Sequence, residues 1–129
     1  MQTIEVAAGV VRDKTGRVLI CRRKGALDGL WEFPGGKREP GESFADCLRR
    51  ELLEELDLAV EPGETLSEVV RQEDGRVIRL VFVAAAAPAR SPAALTLHVH
   101  GKAEWVLPEQ LDAYEFCPAD RAFLDKCLL

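Results

Sequence analysis

From Gly35 to Leu58 the chain reads GGKREPGESFADCLRRELLEELDL, and this stretch limits the possible folds more than any other. Phe44, Cys47, Leu48, Leu52 and Leu56 recur at the 3.6-residue period of a helix with one buried stripe. Glu51, Glu54 and Glu55 stand at i, i+3 and i+4, so one face of the same helix carries all three carboxylates. Like charges crowded in this way repel unless a cation sits among them. Mg²⁺ prefers oxygen ligands, commonly a few carboxylates together with substrate phosphates. The pattern predicts a helix that starts at Ser43, an N-cap with Asp46 as its capping-box partner, and ends near Leu56. Its apolar side anchors it and its acidic side is displayed, either as a metal site or as solvated surface.

The remainder of the chain sets bounds on that choice. Its 129 residues, 47% hydrophobic and 30% charged, predict one soluble domain over 1–129 with a sizeable core. A net charge of −5 argues against a nucleic acid polymer as partner, though not against a nucleotide whose phosphates are neutralised locally. Cys21, Cys47, Cys117 and Cys127 form no C-x-x-C pair and read as small apolar fillers in a reducing compartment. Strand-like sequence by Ile4 leads us to expect no signal peptide. The longest apolar run, Leu80–Ala87, stops at Pro88 and is too short to span a bilayer. A cytoplasmic protein without membrane attachment is expected.

Residues 4–12 and 17–23 alternate as strands around Asp13-Lys14-Thr15-Gly16. Residues 24–36 read as a glycine-rich loop in which Trp31 and Phe33 alternate about Glu32. A hairpin over 64–72 and 76–84 turns at Glu73-Asp74-Gly75. Ala84–Ala94 reads as a flexible loop, 95–107 as a strand interrupted at Gly101, and the tail as a short helix after Pro108 and another over 119–128. Strands interleaved with helices predict an α/β protein with a mixed sheet between helices.

The acidic helix and the glycines before it resemble the Nudix hydrolases, and within them the MutT-like nucleoside triphosphate pyrophosphohydrolases. The family pattern is met by Gly36, Glu42, Arg50, Glu51, Leu52, Glu54, Glu55 and Leu58, and departs only at Asp57, where the family has glycine. A glycine just past a helix end commonly takes the left-handed conformation, which Asp tolerates at a small cost. The resemblance implies the Nudix fold, an α/β/α sandwich, over nearly the whole chain.

It also implies roles. The Gly35-Gly36 turn, open to a ligand for want of a Cβ, would position phosphates, with Gly36 giving a carbonyl to the metal. Glu54 and Glu55 would bind Mg²⁺, or Mn²⁺ in its place. Glu51 would orient or deprotonate the attacking water while sharing in metal binding. Glu42 and Arg50 would pair to hold the helix to the preceding loop. Glu104, beside Trp105, would reach the metal from outside this segment and act in catalysis. Arg23, within Arg22-Arg23-Lys24, would bind a phosphate through its planar fork, helped by Lys37 and with Arg38 as a further candidate. Phe33 and Trp31 are candidates for stacking on a base or for the core. Asp120 in Phe116–Asp120 would read the base edge where relatives have Asn or Asp, or would merely cap the last helix. His98 and His100, two apart on a strand, could form a two-histidine metal site, a weaker reading for want of a third ligand.

The activity implied is Mg²⁺-dependent release of pyrophosphate from a nucleoside triphosphate, by a monomer or homodimer. An oxidised substrate such as 8-oxo-dGTP, as in nucleotide-pool sanitation, comes first. CTP or dCTP is the close competitor, and ADP-ribose or dinucleoside polyphosphates are less favoured. A non-catalytic nucleotide-binding module is the reading of another class.

Overall fold

The computed structural model describes residues 2–25, 27–88, 97, 100–127 and 129. Among these residues seven strands form one mixed sheet: β1 (Gln2–Arg12), β2 (Val18–Arg22), β3 (Trp31–Glu32), β4 (Gly35–Lys37), β5 (Glu61–Glu73), β6 (Arg76–Ala86) and β7 (Lys102–Val106). Two helices, α1 (Phe44–Leu56) and α2 (Pro118–Lys126), and a short 3₁₀ helix (Pro108–Ala113) complete it. The strand order is β3-β2-β1-β6-β5, with β4 added to β1 and β7 to β2. Among the described strands only β1 and β6 run parallel, in register from Gln2↔Arg76 to Arg12↔Ala86.

Successive residues of a buried strand point to opposite faces, and the core divides accordingly. Ala7, Val11, Leu19, Cys21 and Val83 pack with Cys47, Leu48, Leu52 and Leu56 of α1. Ala8, Val10, Val18, Ile20 and Phe82 pack on the other face with Phe116, Ala119 and Phe123 around α2. The sheet is therefore sandwiched between helices, as the alternation of elements predicts.

Beside β1 the sheet changes partner. β1 meets β2 only where Arg12 faces Val18, near the hairpin turn. Farther along, Val6, Ala7 and Ala8 pair instead with Lys37, Gly36 and Gly35 of β4. Gly9 N–H donates to the Pro34 carbonyl at 2.7 Å, closing the joint. The segment read as a loop over 24–36 thus holds β3 and reaches into β4. Both strands are too short for alternation to reveal, and two adjacent glycines give no strand signal.

Helix α1 follows its sequence closely. Ser43 accepts the Asp46 N–H through Oγ at 3.0 Å. Asp57 ends the helix at φ 53°, donating its N–H to Leu53 at 3.1 Å, in the left-handed conformation where the family has glycine. The hairpin β5–β6 is longer than its alternation shows and slips register on either side of Thr65. The strand expected over 95–107 is β7 alone among the described residues, and 89–96 together with His98 lie outside them.

Candidate active site

A cavity of about 280 Å³ opens beside the β1–β4 joint, lined by residues from both layers. Gly35, Gly36, Lys37 and Glu55 come from β4 and α1, while Phe33 and Asp120 come from the α2 side. Arg23, Lys24, Glu32 and His100 also line it. Three carboxylates and three primary cations therefore share one recess.

The two glycines act as strand residues packed against neighbours rather than as an open turn. A Cβ on Gly35 would overlap the backbone carbonyl of Ala7, and one on Gly36 would overlap the carboxyl of Glu51. The space that glycine leaves at Gly36 is filled by Glu51, which brings the helix carboxylate against the strand. The Gly36 carbonyl accepts the Cys47 thiol at 3.5 Å.

Arg50 organises the acidic face. Its Nε and Nη2 donate to the two oxygens of Glu42 at 3.0 and 2.7 Å, a bidentate pair. Nη2 also donates to the Lys37 carbonyl at 3.0 Å, tying α1 to β4. Nη1 reaches Glu51 at 2.9 Å and Glu54 at 3.3 Å. The Arg50 hydrogen bonds, then the Glu39 N–H, pull the Glu42 carboxyl down to about 2.

Glu55 is in the opposite state. Burial above all, then the charge of Glu51 and a hydrogen bond with it, then Glu32 and Glu54, push its carboxyl up to about 8. Its Oε2 is buried and has no hydrogen-bond partner among the described residues. Among the described residues no group of three His, Cys, Asp or Glu side chains stands close enough together to hold a metal ion. The donor set nonetheless fits a hard divalent cation: Glu55 offers an unpartnered oxygen, and a second positive charge would relieve the repulsion that raises it.

The remaining candidates divide. Arg23 lines the cavity and donates from Nη1 to Glu32 Oε1 at 3.0 Å. Lys24 and Lys37 line it too, whereas Arg38 is committed elsewhere, bonding Glu5 and the Glu42 carbonyl over the Phe44 ring. Phe33 is a core residue with one side on the cavity, its ring stacked on Phe116 at 5.6 Å. Trp31 packs edge-on to Tyr114 at 5.0 Å and belongs to the core.

Asp120 does not cap α2; Cys117 holds the N-cap position without a side-chain bond. Its Oδ1 instead accepts the Phe33 N–H at 3.0 Å, inside the cavity. Burial raises its carboxyl to about 7, against the lowering effect of the Phe33 N–H.

Glu104 pairs across from Ile20, on the α2 face, where Tyr114 Oη donates to it at 2.6 Å and Lys102 Nζ stands at 3.0 Å. These partners hold its carboxyl below the usual range, and, like Glu51 and Glu54, it is not among the residues that line the cavity. Parity along β7 decides this, and parity cannot be read until the register with β2 is known. Glu32 and His100, which no spacing in the sequence pairs, also line the cavity. The alternation of Trp31, Glu32 and Phe33 was the available signal, since it turns Glu32 away from its aromatic neighbours.

An α/β/α core that lays a carboxylate helix on a glycine strand beside such a recess defines a class of phosphate-handling hydrolases. The NUDIX domain model matches residues 2–127, and the chain belongs to the Nudix family of hydrolases. It is 37% identical over 127 residues to a CTP pyrophosphohydrolase of Escherichia coli (strain K12), covering 97% of this chain and 91% of that one. It is 41% identical over 81 residues to an 8-oxo-dGTP diphosphatase of Proteus vulgaris, 61% of this chain and 72% of that one. The crystal structure of a MutT protein from Methanosarcina mazei Go1 superposes with a TM-score of 0.82 at 25% identity, covering 97% of this chain and 92% of that one.

Proposed function

We propose that the chain is a Mg²⁺-dependent nucleoside triphosphate pyrophosphohydrolase, giving a nucleoside monophosphate and pyrophosphate, with cytosine nucleotides as its first substrates. The observation that carries this reading is one cavity lined by both Glu55 with Gly36 and the buried Asp120. A molecule with phosphates at one end and a base at the other can meet both.

Glu51, Glu54, Glu55 and the Gly36 carbonyl would hold the ion. Bound Mg²⁺, or Mn²⁺ in its place, supplies positive charge along the phosphate chain. Arg23, Lys24 and Lys37 add cations for the phosphate oxygens, Arg23 with a planar fork. Glu51 accepts the proton of the attacking water as its oxygen bonds to phosphorus. The bond from that phosphorus to the bridging oxygen breaks in line with the attack, and the oxygen departs with the electron pair as part of pyrophosphate.

Asp120 supports the choice of base. Protonated, it donates O–H to cytosine N3 and accepts from the N4 amino group; ionised, it accepts from two N–H groups of a guanine edge. With its carboxyl at about 7, the two forms separate across neutral pH. The name of the E. coli relative favours the first, and that of the Proteus relative the second reading, 8-oxo-dGTP.

The test is product analysis across normal and oxidised triphosphates with Mg²⁺, separating pyrophosphate from phosphate, at pH 6 and pH 8. For CTP the KM is expected to be lower at pH 6, and Asp120→Asn should flatten that dependence. A lower KM at pH 8 for 8-oxo-dGTP, with CTP poorly used, would favour the second reading. Turnover of no triphosphate would overturn both.

A further inference from the structure

His100 is 7% exposed and stands just before β7, where the Gly101 N–H donates to the Arg22 carbonyl at 3.0 Å. Its Nε2 donates to Glu32 Oε2 at 2.9 Å, while Arg23 Nη1 donates to Oε1 at 3.0 Å. β3 and β7 flank β2, with Glu32 and Ala103 both opposite Cys21. The carboxylate is thus held at each oxygen by a different segment. The other ring nitrogen, Nδ1, is buried with no partner among the described residues. An unpaired buried nitrogen is costly, so packing alone does not account for a histidine at this place.

Two oriented donors fix the plane of a carboxylate and leave its remaining lone pairs aimed in set directions. Glu32 lines the cavity, where a bound molecule can bring a donor to those lone pairs. Phosphates offer none and repel it. The donors of a nucleotide lie in its nucleoside: N–H groups of the base and hydroxyls of the sugar.

We propose that His100 is a positioning residue that fixes the Glu32 carboxylate as an acceptor for an N–H or O–H of the substrate's nucleoside. This rests on the nucleotide reading of the same cavity. Losing His100 frees Glu32 to rotate, so the loss falls on binding and on discrimination between donors rather than on bond cleavage.

The experiment has a ligand-free arm and a ligand arm. In ligand-free protein, imidazole ¹⁵N shifts should show Nε2 of His100 protonated and sensitive to Glu32→Gln. Shifts unchanged in that variant would overturn the contact. Affinities for CMP, UMP and dCMP are then compared in wild type, His100→Ala and His100→Gln, with KM and kcat for the triphosphates. We expect His100→Ala to weaken CMP about tenfold, the scale of a hydrogen bond to a charged group, with kcat within about twofold. His100→Gln, whose amide can replace Nε2–H, should recover most of it. A collapse of the CMP/UMP ratio assigns the donor to the base amino group, and a collapse of the CMP/dCMP ratio assigns it to the 2′-hydroxyl. Equal weakening of all three ligands, recovered in His100→Gln, assigns the donor to the 3′-hydroxyl they share; unchanged affinity for all three, or a fall in kcat alone, would overturn the proposal. Absence of triphosphate turnover in wild type counts against the proposed reaction, while the shifts and monophosphate affinities still decide this inference.

Discussion

Glu55 carries a carboxyl held at about 8 instead of 4.5 by burial and by the negative charges of Glu51, Glu32 and Glu54. Between those two values the folded protein keeps a proton that the unfolded chain has released. Stability contributed by this group is complete below about 4.5 and is lost as pH rises through 8. In chelator-treated protein, Glu55→Gln is therefore expected to raise the melting temperature at pH 8 and to flatten its decline between pH 5 and 8; thermal scans across pH check this. An unchanged slope would show that other groups set it. Asp57 makes a second residue-scale case, a non-glycine residue at φ 53°. Asp57→Gly should stabilise the fold by up to about 1 kcal/mol, read as a higher urea midpoint at constant m-value. The Asp57 departure was visible in the sequence because a helix end is a local event. The raised carboxyl of Glu55 was not, since its main cause is burial, which only packing sets, and Glu32 adds to it from another strand.

Among the elements, β4 and α1 form the unit on which the site depends. Gly35 yields to backbone and Gly36 yields to a side chain, so two adjacent glycines serve different ends. Gly35→Ala should force β4 from β1 and cost roughly 3 kcal/mol or more of stability, as overpacking against fixed backbone does. Gly36→Ala should displace the Glu51 carboxyl, with a smaller loss of stability and a fall in turnover of about 100-fold. Denaturation midpoints and steady-state kinetics on the two variants separate these effects; equal loss of stability in both would refute the distinction. The sequence showed the glycine pair and the carboxylate helix, and it predicted the Glu42–Arg50 pairing through family resemblance. It did not show that the glycines form a strand, because pairing with Val6–Ala8 is settled by a partner some thirty residues away.

At the scale of the whole molecule, two cores grip one sheet and the cavity lies where the sheet changes partner. The α2 layer matters to the site because Phe123 stacks on Phe82 at 4.2 Å and fixes the helix that carries Asp120. Phe123→Ala should cost about 3–5 kcal/mol and raise KM more than it lowers kcat; a stability loss with KM unchanged would mean that Asp120 keeps its place without that anchor. By itself the sequence determined α1, its caps and its acidic face, and the family, because helical periodicity and capping act over a few residues. Tertiary structure decided which polar groups share the cavity. It joined Phe33 to Asp120 across 87 positions, brought His100 to Glu32, and turned Glu104 toward Tyr114. Those outcomes depend on strand register, and a shift of one residue reverses every side chain. That information resides in how distant segments pair, which no local pattern of residues records.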